Sequence, residues 1–182
     1  MDAMQDEVRG GTLRRPLIGA ALFLAGLLAL APLPAAAAAD AILAQLAGNW
    51  IGRGTMKQSA NAEAELVYCK IANKLINDGL ALEQKGRCAV ATNSGAIKGM
   101  IEASGGGTYR GTLDTFNTRG PAKISGKAAS NVINFSAEFV DRKTNKPTRA
   151  TIRLVVADGK YRLVSNGAND SFVASDITFT PQ

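Results

Sequence analysis

Histidine is absent from this 182-residue sequence, and aromatic residues make up only 5% of it. Without histidine, the chain lacks the commonest general base and the commonest metal ligand. Catalysis by a Ser-His-Asp or a Cys-His arrangement is therefore excluded within the chain. The acidic residues Glu63, Glu65, Glu102 and Asp114 have no spacing that pairs two carboxylates. We therefore predict that the protein is not an enzyme and that it holds no metal ion.

The sequence also lacks a concentrated basic segment, although its formal net charge is +6. Basic residues occur singly along the chain, except in the pairs Arg14-Arg15 and Arg142-Lys143. Nucleic-acid binding requires a basic stripe with exposed aromatic side chains on which bases can stack. We therefore predict that nucleic acid is not a partner.

Only one long apolar run is present, from Leu17 to Leu30, and it follows Arg14-Arg15. The run is short for a membrane span, and prolines and small residues close it. Ala37-Ala38-Ala39 fits the small-residue rule for signal-peptide cleavage. We therefore predict a cleavable signal peptide at 1–39 and a single domain at 40–182 that does not span a membrane.

This signal predicts a periplasmic or secreted protein of a Gram-negative bacterium. The pair Arg14-Arg15 loosely resembles a twin-arginine signal, so the choice between the general and the twin-arginine export route stays open. In an oxidising compartment, two cysteines favour a disulfide. Cys69 and Cys88 are the two that the chain contains.

The spacing of these cysteines predicts their pairing. Asp78-Gly79 is a strong signal for a two-residue hairpin turn, because both residues tolerate a positive φ. That turn sets Cys69 directly opposite Cys88, with Cα atoms about 5.5 Å apart at a hydrogen-bonded position. The same register sets Lys74 opposite Glu83, and a slip of one residue would destroy both pairings.

The rest of the chain alternates between apolar and polar residues and is interrupted by turn signals. Residues 40–46 could form one short helical turn, and no stretch predicts a long amphipathic helix. The fold class is therefore all-β: a closed or nearly closed antiparallel meander barrel of about 8–10 strands, with a short N-terminal helical turn and one disulfide. The predicted strands are 49–57, 63–76, 79–91, 95–103, 107–116, 120–128, 131–141, 147–157, 160–167 and 171–180.

The segment Gly48-Asn49-Trp50-Ile51-Gly52-Arg53-Gly54 opens the first predicted strand. It resembles the G-x-W start of the calycin barrels: lipocalins, fatty-acid-binding proteins and, in its W-x-G-x-G detail, nitrobindin-like proteins. The resemblance implies that Trp50 plugs one barrel end and that the interior holds an apolar ligand. Haem ligated by His is not implied, because the chain has no His, and we predict no cofactor. The Arg-Tyr carboxylate clamp of fatty-acid-binding proteins is not matched, since a turn at Asp158-Gly159 directs Tyr161 inward and Arg162 outward.

Small residues at inner positions would leave room for a ligand, although glycine also marks strand bends. These positions are Gly52, Gly54, Gly86, Gly99, Gly111, Gly126 and Ala137. The candidate ligand-binding residues, with Gln84 and Tyr161 as polar anchors, are Trp50, Met56, Leu82, Gln84, Leu113, Phe135, Phe139, Leu154 and Tyr161.

Three functions are compatible with this sequence. The first is an exported barrel that binds a small apolar ligand in its interior. The second is a secreted inhibitor of a protease or lysozyme, which would act on a protein partner through a loop or through residues 40–46. The third is a structural protein of the envelope. A barrel filled by its own side chains, with Trp50 as a core residue, would favour the second over the first.

Overall fold

The computed structural model describes residues 40–167 and 170–182. The predicted signal peptide, 1–39, lies outside the described residues. One short helix, α1 (Ala41–Leu46), precedes ten strands. The strands are β1 (Gly48–Met56), β2 (Glu65–Ile76), β3 (Ala81–Ala89), β4 (Ser94–Ala103), β5 (Thr108–Asp114), β6 (Ala122–Ala129), β7 (Val132–Val140), β8 (Pro147–Ala157), β9 (Lys160–Asn166) and β10 (Val173–Pro181).

Each strand pairs with its neighbours in the chain, and β1 also pairs with β10, so the sheet closes into a barrel. Every ladder is antiparallel, which fits the short connections and the absence of crossover helices. The all-β barrel with one short helix and one disulfide is confirmed. Among the residues that the structure describes, no helix is long and apolar enough to cross a bilayer.

The first hairpin has the predicted register. Asp78 and Gly79 have φ of 53° and 84°, and the Leu80 amide donates to the Asn77 carbonyl at 2.9 Å. Cys69 faces Cys88, and Lys74 faces Glu83. The disulfide Cys69–Cys88 is therefore confirmed. Its Cα atoms lie 4.1 Å apart, closer to the roughly 4.5 Å of a non-hydrogen-bonded pair than to the spacing we expected.

The late hairpin also follows its turn signal. Asp158 and Gly159 have positive φ, and they connect β8 to β9. Val156 faces Tyr161, as the alternation predicted. The inner faces of the strands and α1 then form one apolar core, in which Leu43, Leu46 and Ile133 are at most 1% exposed. This core occupies the interior of the barrel.

Candidate functional site

All nine candidate ligand-binding residues lie on the inner face of the barrel, as the strand registers require. Five of them are buried: Trp50, Leu82, Phe135, Leu154 and Tyr161. The other four are half-buried: Met56, Gln84, Leu113 and Phe139. The residues converge only in part, because Trp50 and Tyr161 meet at one barrel end while Met56 lies at the other. Their role in binding remains a prediction.

Helix α1 closes one end of the barrel. The Asp40 carboxylate accepts the backbone amides of Ile42 and Leu43 at 3.0 and 2.9 Å, which caps the helix. The same carboxylate accepts the Tyr109 hydroxyl at 2.9 Å. Burial, followed by this bond to Asp40, raises the pKa of Tyr109. Leu43 and Leu46 of α1 are buried, so this short helix is packed against the barrel.

A polar cluster lies beneath α1. The Leu46 carbonyl at the end of the helix accepts both the Trp50 indole N–H and the Asn73 amide, each at 2.8 Å. Gln84 Nε2 in turn donates to Asn73 Oδ1 at 3.1 Å. The first two bonds satisfy the Leu46 carbonyl, which has no partner within the short helix, and the third holds Gln84 against Asn73 on the inner wall. Trp50 thus lies buried at the end of the barrel that α1 covers, hydrogen-bonded to the last residue of that helix.

Tyr161 lies next to this cluster but forms none of its hydrogen bonds. Its ring packs edge-on against Trp50, with centroids 4.8 Å apart, and stacks on Phe179 at 4.4 Å. Its hydroxyl is buried and has no hydrogen-bond partner among the described residues. The neighbouring Asn73 amide is already engaged by Leu46 and Gln84. Burial raises the pKa of Tyr161, and the nearby Asn73 amide opposes part of that shift, although no hydrogen bond of normal geometry joins it to the hydroxyl.

Most inner glycines do not leave open space, contrary to the sequence-based expectation. A Cβ added to Gly52 or Gly126 would come within 2.5 or 2.6 Å of the Phe179 or Phe135 ring. A Cβ added to Gly111 would meet the Met100 carbonyl at 1.8 Å. Gly54 and Gly86 are likewise covered by the backbone of the facing strand. The lack of a side chain at these glycines lets a neighbouring ring or strand pack closely against the backbone.

Gly99 is the exception. A Cβ there would make only ordinary contacts, at 3.4 Å or more, to Thr112, Leu113 and Gln84. Gln84 faces Gly99 across β3 and β4, and Gly99 faces Leu113 across β4 and β5. All three are half-buried although they point inward, as are Ile101, Ala150 and Leu163. The inner surface that these half-buried residues contribute is largely apolar.

The loop between β5 and β6 extends over the opposite end of the barrel. Phe116 packs against Gly95, and Asn117 Nδ2 contacts Met56 Sδ at 3.8 Å. Thr118 is buried and bridges to Asp141. Since β1 and β6 lie on opposite sides of a ten-stranded barrel, the contact between Asn117 and Met56 crosses the mouth. Sequence analysis did not assign this loop to the site.

The inner positions of the ten strands carry no ionised side chain except Glu65, at the mouth. Glu65 accepts the backbone amide and the hydroxyl of Thr92, which holds it at the rim. The wall thus offers apolar contacts, amides and a hydroxyl. Such a surface suits a neutral molecule, because burying an unpaired charge is costly.

Sequence analysis missed two residues that shape the site, Asn73 and Phe179. Asn73 is in phase with Cys69 and Ile71 on β2, so the predicted register already placed an amide on the inner face. Phe179 was harder to find, because its contacts depend on the pairing of β10 with β1 and β9. In comparisons with known proteins, the chain matches no protein-family model and no curated protein.

Proposed function

We propose that this protein is exported to the periplasm or secreted, and that its calycin-type barrel binds a small apolar ligand with one uncharged hydrogen-bonding group. The observation that carries the proposal is the buried Tyr161 hydroxyl, which has no hydrogen-bond partner among the described residues. Such a group costs about 1–3 kcal/mol, and exceptions of this kind in native proteins require an explanation. A ligand acceptor that meets the hydroxyl removes this cost.

The surroundings of Tyr161 support the same ligand chemistry. Gln84 offers a second polar group on the inner wall, and Gly99, which has room for a Cβ, lies against Leu113. Because the wall between the ends is uncharged, a neutral ligand is favoured over a carboxylate. The G-x-W start and the position of Trp50 support the assignment to the calycins.

A second candidate is an inhibitor or interaction module. Rings and backbone cover several inner glycines, and a filled interior favours a function on the outside of the barrel. With α1 docked in the barrel, such a module would act through its outer surface, where Leu66 is 81% exposed. The third possibility, a structural envelope protein, has no specific contact in its favour.

The space beside Gly99 provides the experiment. We expect the wild-type protein to bind the neutral fluorescent probe N-phenyl-1-naphthylamine with one site per chain. Gly99→Leu should weaken this binding at least tenfold, because its side chain would fill the inner space. Ala96→Leu places the same leucine side chain on the outer face of β4 and serves as the control, with binding unchanged.

The denaturation midpoint of Gly99→Leu shows whether the variant loses probe binding because the site is blocked or because the protein is destabilised. In an open interior, Gly99→Leu unfolds near the wild-type midpoint, whereas overpacking of a filled core costs about 1–3 kcal/mol. Failure of the wild-type protein to bind the probe, together with an overpacked Gly99→Leu variant, would contradict the interior site and favour the interaction module.

A further inference from the structure

On the outer face of β2, β3 and β4, basic residues face each other across neighbouring strands at two positions. The register sets Lys70 directly opposite Arg87, and in the next ladder Lys85 directly opposite Lys98. Like charges directly opposite each other destabilise a sheet. Lys85 pairs with Glu83 at 2.7 Å, but none of the four ion pairs among the described residues includes Lys70 or Arg87.

Elsewhere on the outer face, the register brings opposite charges together. Arg110 contacts Glu102 at 3.3 Å, and Arg149 contacts Glu138 at 2.8 Å. Lys123 also faces Glu138 across β6 and β7. Lys70 and Arg87, in contrast, face each other, and their other cross-strand neighbours, Ile51 and Ala96, carry no charge.

Exposed apolar side chains accompany these cations on the outer face of β1–β3. Leu66 is 81% exposed, and Tyr68 is 40% exposed. The Arg53 guanidinium lies over the Tyr68 ring, 5.4 Å from its centroid. We refer to Arg53, Leu66, Tyr68, Lys70 and Arg87 as the cationic face.

The disulfide lies on the inner side of the sheet behind the cationic face and cross-links β2 to β3. Cys69 lies between Tyr68 and Lys70, and its partner Cys88 follows Arg87 directly. A shallow groove runs over this region, and its rim includes Tyr68, Lys70, Arg87 and Ser94. The only hydrogen bond of the Arg87 guanidinium among the described residues is a long one, 3.4 Å to the Ser94 hydroxyl. The cross-link therefore holds the repelling cations in place around an open groove.

We propose that the cationic face docks on the surface of an anionic phospholipid bilayer. Phosphate groups would neutralise Lys70 and Arg87, Tyr68 would lie at headgroup level, and Leu66 would enter the acyl boundary. Leu66, Tyr68 and Val173 are the only large apolar side chains exposed among the described residues. Three exposed apolar side chains are too few to form the apolar core of a stable protein interface. A lipid surface requires only an inserted side chain and nearby cations.

Vesicle co-sedimentation at low ionic strength tests the proposal with protein purified after expression of the full chain. We expect binding to vesicles of equal parts phosphatidylglycerol and phosphatidylcholine, and none to pure phosphatidylcholine. Lys70→Gln/Arg87→Gln should weaken the binding about thirtyfold, since each cation near an anionic surface contributes about 1 kcal/mol. Leu66→Asn should weaken it separately, because Leu66 supplies the apolar contact.

The matched control, Lys123→Gln/Lys127→Gln, removes the same charge from the outer face of β6 and should change binding less than threefold. An equal loss in both double variants would mean that net charge alone acts, and equal binding to both vesicle types would also overturn the proposal. Full displacement by millimolar inorganic phosphate at constant ionic strength would indicate a site for free anions and contradict membrane docking.

Stability provides an independent measurement. Removing two cations that repel each other should leave the denaturation midpoint of Lys70→Gln/Arg87→Gln unchanged or raised. A lowered midpoint would give these residues a structural role and contradict the proposal. The cationic face lies on the opposite side of the strands from the interior, so neither result depends on the apolar ligand.

Discussion

At the residue scale, Tyr161 combines two properties that native proteins rarely combine. Its ring is stacked on Phe179 and lies edge-on to Trp50, while its hydroxyl has no hydrogen-bond partner in the part of the chain that the structure describes. Apolar packing alone does not require the hydroxyl, because phenylalanine would fill the same space. The hydroxyl therefore has a stability cost that interior packing does not explain.

We predict that Tyr161→Phe raises the stability of the ligand-free protein by about 1 kcal/mol, since it removes an unsatisfied buried group without creating a cavity. Urea denaturation monitored by Trp50 fluorescence measures the change. Tyr109→Phe is the matched control and should be destabilising, because the Tyr109 hydroxyl donates to Asp40. A loss of stability in Tyr161→Phe would show that the hydroxyl is already hydrogen-bonded in the free protein.

The inward direction of most candidate residues could be predicted at this scale, but the size of the interior could not. Alternation and turn signals were sufficient to direct Gln84 and Tyr161 inward. Whether an inner glycine leaves space depends on how closely the facing strand and its rings approach. Gly111 and Gly99 look alike in the sequence, yet only Gly99 has room for a Cβ.

At the scale of the element, the hairpin of β2 and β3 depends on its turn and on its cross-link. Its register could be predicted because Asp78-Gly79, the cysteines and the pair Lys74 and Glu83 all require the same alignment. The same register places the like charges of Lys70 and Arg87 opposite each other, where they repel. The disulfide next to them therefore both restricts the unfolded chain and holds this pair together.

We predict that reduction of the disulfide lowers the stability by about 3 kcal/mol, because the sequence separation of 19 closes a loop of about 20 residues. Guanidinium denaturation with and without a reducing agent measures the difference. Cys69→Ala/Cys88→Ala should unfold earlier than the oxidised protein and be insensitive to the reducing agent. Reactive free thiols in the air-oxidised native protein would contradict the cross-link.

At the scale of the whole molecule, closure of the barrel rests on the pairing of β1 with β10. The local signals predicted about 8–10 strands and left the barrel closed or nearly closed, because no turn joins the first strand to the last. They also gave no sign that the loop containing Phe116 and Asn117 covers the mouth. Both features depend on contacts between residues far apart in the chain.

Both ends of the barrel are covered by packed and hydrogen-bonded segments. Helix α1 is anchored by buried leucines and by the bond between Asp40 and Tyr109. In the loop at the mouth, Thr118 is buried, and the Arg119 amide donates to the Val140 carbonyl at 2.9 Å.

The most direct test compares two fluorescent probes that differ only in a hydrogen-bond acceptor: 6-propionyl- and 6-propyl-2-(dimethylamino)naphthalene. Wild-type protein should bind the carbonyl probe about tenfold more tightly, which corresponds to one buried hydrogen bond. Tyr161→Phe should bind the two probes equally while keeping its affinity for the propyl probe. An unchanged preference in Tyr161→Phe, or the absence of binding to either probe by the wild-type protein, would contradict the interior site.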